Sequence, residues 1–205
     1  MSVSRARNLL TVTLLAALTA CAPHAGPATS TAAAADYGPA PEFTLPNVAG
    51  GAFTLGSHRG SVVVLSFTAA NCTEECPVLE AILQRAARVW KARGTLDRGV
   101  TIATMEIDPK TNGMAAEAKL RAKWWPAPGW AFLRGDAAHT TAVLNAYHIL
   151  VLPPPKGHDD VEHTVEVYVI DPQGRESDIL APGANLSLAA LERAVERAYK
   201  PSGKT

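Results

Sequence analysis

Apolar positions along this chain switch between a period of two and a period of about 3.6, and the switches mark out strands and helices. Phe43-Thr44-Leu45 and Phe53-Thr54-Leu55 alternate on either side of Gly50-Gly51 and predict a hairpin. Ser61 to Thr68 is a β-branched run, short enough for a strand buried on both faces. Leu79, Ile82, Leu83, Ala86 and Trp90 then recur at helical spacing, with Pro77 suited to the first turn and Gly94 to the stop. Val100 to Ile107 predicts a second buried strand, closed by Asp108-Pro109. Ala115 to Trp125 predicts a helix that Pro126 ends, Trp130 to Leu133 a short strand, and Ala138 to Tyr147 a further helix. His163 to Ile170 reads as one strand, turning at Asp171-Pro172-Gln173-Gly174 into another around Ile179. Leu188, Leu191, Val195 and Ala198 give a last amphipathic helix. Strands alternating with helices predict an α/β domain: a mixed β-sheet flanked by helices on both faces, with an N-terminal β-hairpin.

Before residue 42 the pattern is different. Arg5 and Arg7 precede a short apolar run from Leu9 to Leu18, the order of a secretory signal peptide. A spanning helix needs roughly 20 apolar residues, and this run falls short. It ends in Leu18-Thr19-Ala20-Cys21, which resembles the lipobox of bacterial lipoproteins. That resemblance implies cleavage before Cys21 and a diacylglycerol on its sulfur. An ordinary cleaved signal with an incidental Cys21 is the main alternative and an uncleaved anchor a lesser one, and each puts the domain outside the cytoplasm. The expected divisions are a lipoprotein signal at 1–20, a disordered tether at 21–41 rich in Ala, Pro, Thr and Ser, a folded domain at 42–200 and a tail at 201–205. Nineteen basic and 19 acidic residues cancel, which leaves no electrostatic footprint for nucleic acid or anionic lipid.

Asn71-Cys72-Thr73-Glu74-Glu75-Cys76-Pro77 falls where the first buried strand hands over to its helix. Binding and reacting groups favour the C-terminal ends of strands in open α/β sheets. At a helix start, unpaired N–H groups and the macrodipole stabilise a thiolate. If the helix begins by Cys72, the two sulfurs sit one turn apart and can converge on one ion. Three readings compete. Two thiolates and an imidazole suit a soft or borderline metal, copper above all. Structural zinc would need a fourth protein ligand, and no third cysteine remains in the mature domain. A redox pair usually has two spacer residues, where this chain has three. A static disulfide would close so short a loop that it constrains the unfolded chain little.

Further stretches carry a likeness to a known family. They are Phe53-Thr54-Leu55 with Arg59-Gly60, Val62 to Phe67, Cys72-x-x-x-Cys76-Pro77 and Ile107-Asp108-Pro109, and finally His163-Thr164 opening Val165 to Asp171-Pro172-x-Gly174. In these the chain resembles the Sco (SenC-type) copper-binding proteins of cytochrome oxidase assembly, from about Phe43 to the C-terminus. The resemblance implies a thioredoxin-like fold, which the element order suits. It implies copper, as Cu(I) and/or Cu(II), on Cys72, Cys76 and His163. It also implies a periplasmic chaperone that delivers copper to a cytochrome oxidase copper subunit or another copper protein, or reduces that site's cysteines. The protein is expected as a monomer, lipid-anchored to a membrane on the periplasmic side of the cell envelope. Thr73 stands where the family usually has Pro, Glu74 and Glu162 where it commonly has Asp, and Asn112 where an aspartate is expected. None of these removes a ligand; they bear on partner choice and redox poise.

The rival is a thiol–disulfide oxidoreductase or peroxiredoxin-like enzyme with Cys72 and Cys76 as its redox-active pair. Thioredoxin-type reductases have a proline where Glu162-His163 stands, and peroxiredoxins have Thr or Ser where Ala69 stands. A third class, a binding domain with a structural disulfide, leaves His163 without a role. His58, His139 and His148 have no paired ligand in the sequence and suit solvated roles. His158 belongs to a long loop from Ile149 to Glu162, which suits a lid or a transient ligand less well than an exposed loop histidine. Trp124, Trp125 and Trp130 suit core or rim packing, and Met105 and Met114 are too dispersed for a methionine copper motif.

Overall fold

The computed structural model describes residues 35–70, 72, 75–108, 119, 122, 129–152, 156 and 161–199. The segment read as a signal, Cys21, Asn112, Met114, Trp124, Trp125, His158 and the expected tail lie outside the described residues, as does the helix expected at 115–125 apart from Lys119 and Ala122.

The expected hairpin forms from β1, Thr44–Pro46, and β2, Ala52–Thr54, with Leu45 opposite Phe53. Gly50 and Gly51 both take positive φ at its tip, a conformation that strains a residue with a Cβ. A 3-10 turn over Leu55–His58 leads to β3, Val62–Thr68, then α1, Glu75–Ala92, and β4, Val100–Glu106. There follow β5, Trp130–Leu133, and α2, Ala137–Ala146, whose N-cap Asp136 accepts from the His139 N–H. The chain continues through β6, Val151–Leu152, β7, Glu162–His163, β8, Val167–Ile170, and β9, Glu176–Leu180, to α3, Leu188–Ala198.

Five strands make one mixed sheet in the order β5-β4-β3-β8-β9. β3, β4 and β5 run parallel, and β8 runs antiparallel to both β3 and β9. Successive side chains of β3 enter opposite cores, because a strand has a period of two. Val62 and Val64 pack with Leu79, Leu83 and Trp90 of α1 and with Leu191 and Val195 of α3. Val63, Leu65 and Phe67 pack on the other face with the hairpin's Phe43 and Phe53 and with Val143 and Leu144 of α2. Helices therefore cover both faces, the predicted class. Each fully buried leucine contributes about 1.5–3 kcal/mol over an exposed one.

The structure departs from the sequence reading in particular places. His163 to Ile170 is not one strand: β8 starts only at Val167, and His163 belongs to the separate two-stranded sheet of β6 and β7. The antiparallel pairing of β3 with β8 stops at Ser66 opposite Val167. Residues further upstream find new partners, since backbone groups do not stay unpaired away from water. Thr164 N–H donates to Leu150 O at 2.9 Å, and Leu150 N–H to Thr164 Oγ1 at 3.2 Å. The stretch read as a loop from Ile149 to Glu162 thus carries a strand, β6. Part of the expected tether is docked as well. Tyr37 N–H donates to Glu176 O and Ala40 N–H to Gly174 O, while Arg175 holds Asp36 with bonds of 2.6–2.9 Å. The partners at the start of β9 and in the turn before it, main-chain groups and the Arg175 side chain, are ones that composition cannot reveal.

Candidate metal centre

β3 is buried along its whole length and ends at Thr68. Beyond it the chain turns, with Cys72 N–H donating to Ala69 O at 3.0 Å. α1 opens at Glu75, so among the described residues Cys72 precedes the helix, and this turn rather than a helical face brings it to Cys76. Cys72 is half-buried against the hairpin-side core, whereas Cys76 in the first turn of α1 is 3% exposed. The two are joined in a disulfide with Cα atoms 5.9 Å apart. On reduction, a Cys76 thiolate would face the free N–H groups of the helix start.

His163 comes to this pair from the other end of the sequence. Its position is set by β7, where His163 pairs with Val151 of β6. Nδ1 lies 2.9 Å from the carbonyl of Thr164 and Nε2 lies 3.5 Å from Cys76 Sγ. A carbonyl only accepts, so Nδ1 carries the proton and the Nε2 lone pair faces the sulfur. Such a bond on the second nitrogen is what usually orients a metal-binding imidazole. Burial holds the His163 pKa below its ordinary value, although the Thr164 carbonyl and the Glu75 carboxylate pull the other way. The neutral, ligating form is therefore favoured.

One ligand atom each from Cys72, Cys76 and His163 lies within 4.8 Å of the others, the one such group among the described residues. The sequence named all three. Two sulfurs and one imidazole nitrogen are a soft-to-borderline donor set, which fits copper. As a disulfide the sulfurs hold each other; two electrons convert them to the thiolates that a copper ion needs.

The other described histidines stand apart. His58 is half-buried and stacks on Phe53 with ring centroids 4.4 Å apart, so the solvated role expected for it is replaced by packing. His139 is exposed beside Asp136, and His148 is exposed at a left-handed turn with φ 56°. Trp130 packs in the core and donates its indole N–H to Thr104 Oγ1 at 2.9 Å.

Sequence reasoning missed a polar layer between α1 and the sheet. Toward the cysteine end, the alternation that places Val62 and Val64 under α1 places Ser66 and Thr68 there, and likewise Thr104 and Glu106 on β4. Ser66 and Thr104 hydroxyls bond at 2.8 Å. Glu80 of α1 joins this layer at 1% exposure. Thr68 faces its carboxyl but falls short of hydrogen-bond geometry, and burial pushes the Glu80 pKa well above the ordinary carboxylate range. The signal was present: polar residues at alternate positions of strands that otherwise read as apolar.

Residues 31–198 match the model of the SCO1/SenC family. The chain belongs to that family. The SCO1 protein homolog of Bacillus subtilis (strain 168) is 28% identical over 137 residues, 65% of this chain and 68% of that protein. Arabidopsis thaliana ScoI with copper bound superposes with a TM-score of 0.65 at 18% identity, covering 78% of this chain and 98% of that one. A SCO1/SenC family lipoprotein from Bacillus anthracis str. Ames gives 0.65 at 23% identity, covering 77% and 93%. The family fold is thioredoxin-like, and the mixed sheet with its hairpin and flanking helices is that fold.

Proposed function

We propose that this protein is a copper chaperone of the cell envelope. It carries one copper ion on Cys72, Cys76 and His163 and supplies a respiratory cytochrome oxidase copper site, or keeps that site's cysteines reduced. The observation that carries this reading is the His163 Nε2 lone pair aimed at Cys76 Sγ from 3.5 Å, with Nδ1 committed to Thr164. A structural disulfide needs no such imidazole. Family membership and the copper-bound Arabidopsis relative support the choice of ion. Export and a lipid anchor on Cys21 are supported by Arg5, Arg7, the run from Leu9 to Leu18 and the Bacillus anthracis lipoprotein. Among the described residues no helix is long and apolar enough to cross a membrane. Large apolar side chains at Val78, Leu150 and Leu152 are exposed near the site, as a face that meets another protein requires.

The Cys72–Cys76 disulfide favours a second reading, thiol–disulfide exchange without metal transfer. His163 separates the two. As a ligand, its loss cripples oxidase maturation even with both thiols intact. In pure exchange the sulfurs set the rate through thiolate fraction and access, and losing one imidazole changes turnover modestly. The expected result is that His163→Ala cells fail to assemble oxidase as the double cysteine variant does, while the variant protein still exchanges with a small dithiol. Normal oxidase assembly in those cells, without excess copper, assigns the protein to thiol reduction instead.

A further inference from the structure

His163 is held by two chain segments that are distant in sequence, and one hydroxyl touches both. The first segment leaves α2 at Tyr147, turns at His148 and runs through Leu150 into β6, where Val151 pairs with His163. The second is the link from β7 to β8, containing Glu166 and Thr164, whose carbonyl accepts the hydrogen bond from His163 Nδ1–H. Tyr168 of β8 places its phenol oxygen 2.6 Å from Tyr147 O and 2.6 Å from Glu166 Oε2. A phenol has one proton, so the O–H is shared between the two acceptors.

The ring that presents this hydroxyl is itself fixed. Tyr168 is 4% exposed and stands edge-on to Tyr147, with centroids 5.1 Å apart, and to Phe67 at 6.0 Å. Its backbone is in the main sheet, opposite Leu65 of β3. β3 is also the strand that delivers Cys72 and Cys76. The hydroxyl therefore references both arms of the histidine ladder to the strand that sets the cysteines. Packing alone would be served by phenylalanine, because the ring's neighbours in this core are the Phe67 and Tyr147 rings.

We propose that Tyr168 is the positioning residue of the metal centre: its hydroxyl clamps the two segments that carry His163 and thereby fixes the imidazole against Cys72 and Cys76. This rests on the reading of His163 as a copper ligand. Outer partners that orient a ligating histidine typically change metal affinity 10–100-fold when removed.

Tyr168→Phe keeps the ring and deletes the clamp. The test titrates reduced full-length protein with Cu(II) and with Cu(I), records the electron paramagnetic resonance spectrum of the Cu(II) form, and measures thermal stability alongside. The expected outcome is about a tenfold or greater loss of Cu(II) affinity with an altered Cu(II) spectrum, and Cu(I) affinity within about twofold, since the two thiolates hold the softer ion. Glu166→Ala, which removes one acceptor and leaves the ring in place, is expected to show a smaller loss with the same spectral change; it serves if Tyr168→Phe does not fold. Lower stability with wild-type Cu(II) affinity and spectrum in both variants would overturn the clamp. His163→Ala is run in parallel: Cu(II) affinity and spectrum unchanged in that variant would remove the ligand itself, and the clamp with it.

Discussion

At position 80 a carboxyl sits where α1 otherwise buries leucine, as at Leu79 and Leu83. Neither carboxylate oxygen has a hydrogen-bond partner among the described residues, and desolvation raises the pKa from an ordinary value near 4.5. A raised folded-state pKa gives stability that is complete below the unfolded value and is lost as pH rises through the folded one. Glu80→Gln, which cannot ionise, is therefore expected to gain stability relative to wild type progressively above about pH 4.5. Denaturant unfolding at a series of pH values checks this, and parallel curves for the two proteins would exclude a buried acid at Glu80. Cys72 and Cys76 were legible in the sequence as a spaced pair at a strand end, whereas His163 was singled out by the family resemblance, since one histidine among six has no spacing of its own. Glu80 was not legible, because a lone glutamate on a helix is ordinarily solvated. Tyr168 was equally silent: in a run of alternating apolar residues its ring explains its presence, and the hydroxyl's partners are 21 residues upstream as well as two.

Among the elements, the long ones followed from periodicity. β3, α1, β4, α2 and α3 appear within one or two residues of where the apolar pattern places them, since a core on each face imposes that pattern. β6 and β7 escaped it. Two-residue strands have no period, and what creates them is the loss of β3 as a partner beyond Val167, a non-local event. α1 matters most to the site, since it presents Cys76 and seals the larger helical face. Leu83→Ala in its centre removes a side chain that is 0% exposed and is expected to cost about 2–5 kcal/mol in denaturant unfolding. A loss below about 0.5 kcal/mol would mean that α1 is not packed on the sheet as described.

At the scale of the whole molecule, the domain is locked to its own N-terminal approach. Asp36 bonds to Arg175, Tyr37 to Glu176 and Ala40 to Gly174, all at the start of β9 or in the turn before it. Two acyl chains at about 0.8 kcal/mol per buried methylene hold a protein on a bilayer, whereas one without them stays in solution. Cys21→Ser is therefore expected to move the protein from the membrane to the soluble fraction with its fold intact, and wild-type protein found wholly in the soluble fraction would rule out the anchor. The thioredoxin-like scaffold brings together a strand end, a helix start and a two-residue strand from late in the chain, and only their meeting makes a Cys-Cys-His group that could hold a metal ion. Metal analysis of the reduced, full-length protein tests that meeting most directly. One copper per chain is expected in wild type and none held tightly in Cys72→Ala/Cys76→Ala, whereas full copper occupancy in the double variant would place the ion elsewhere.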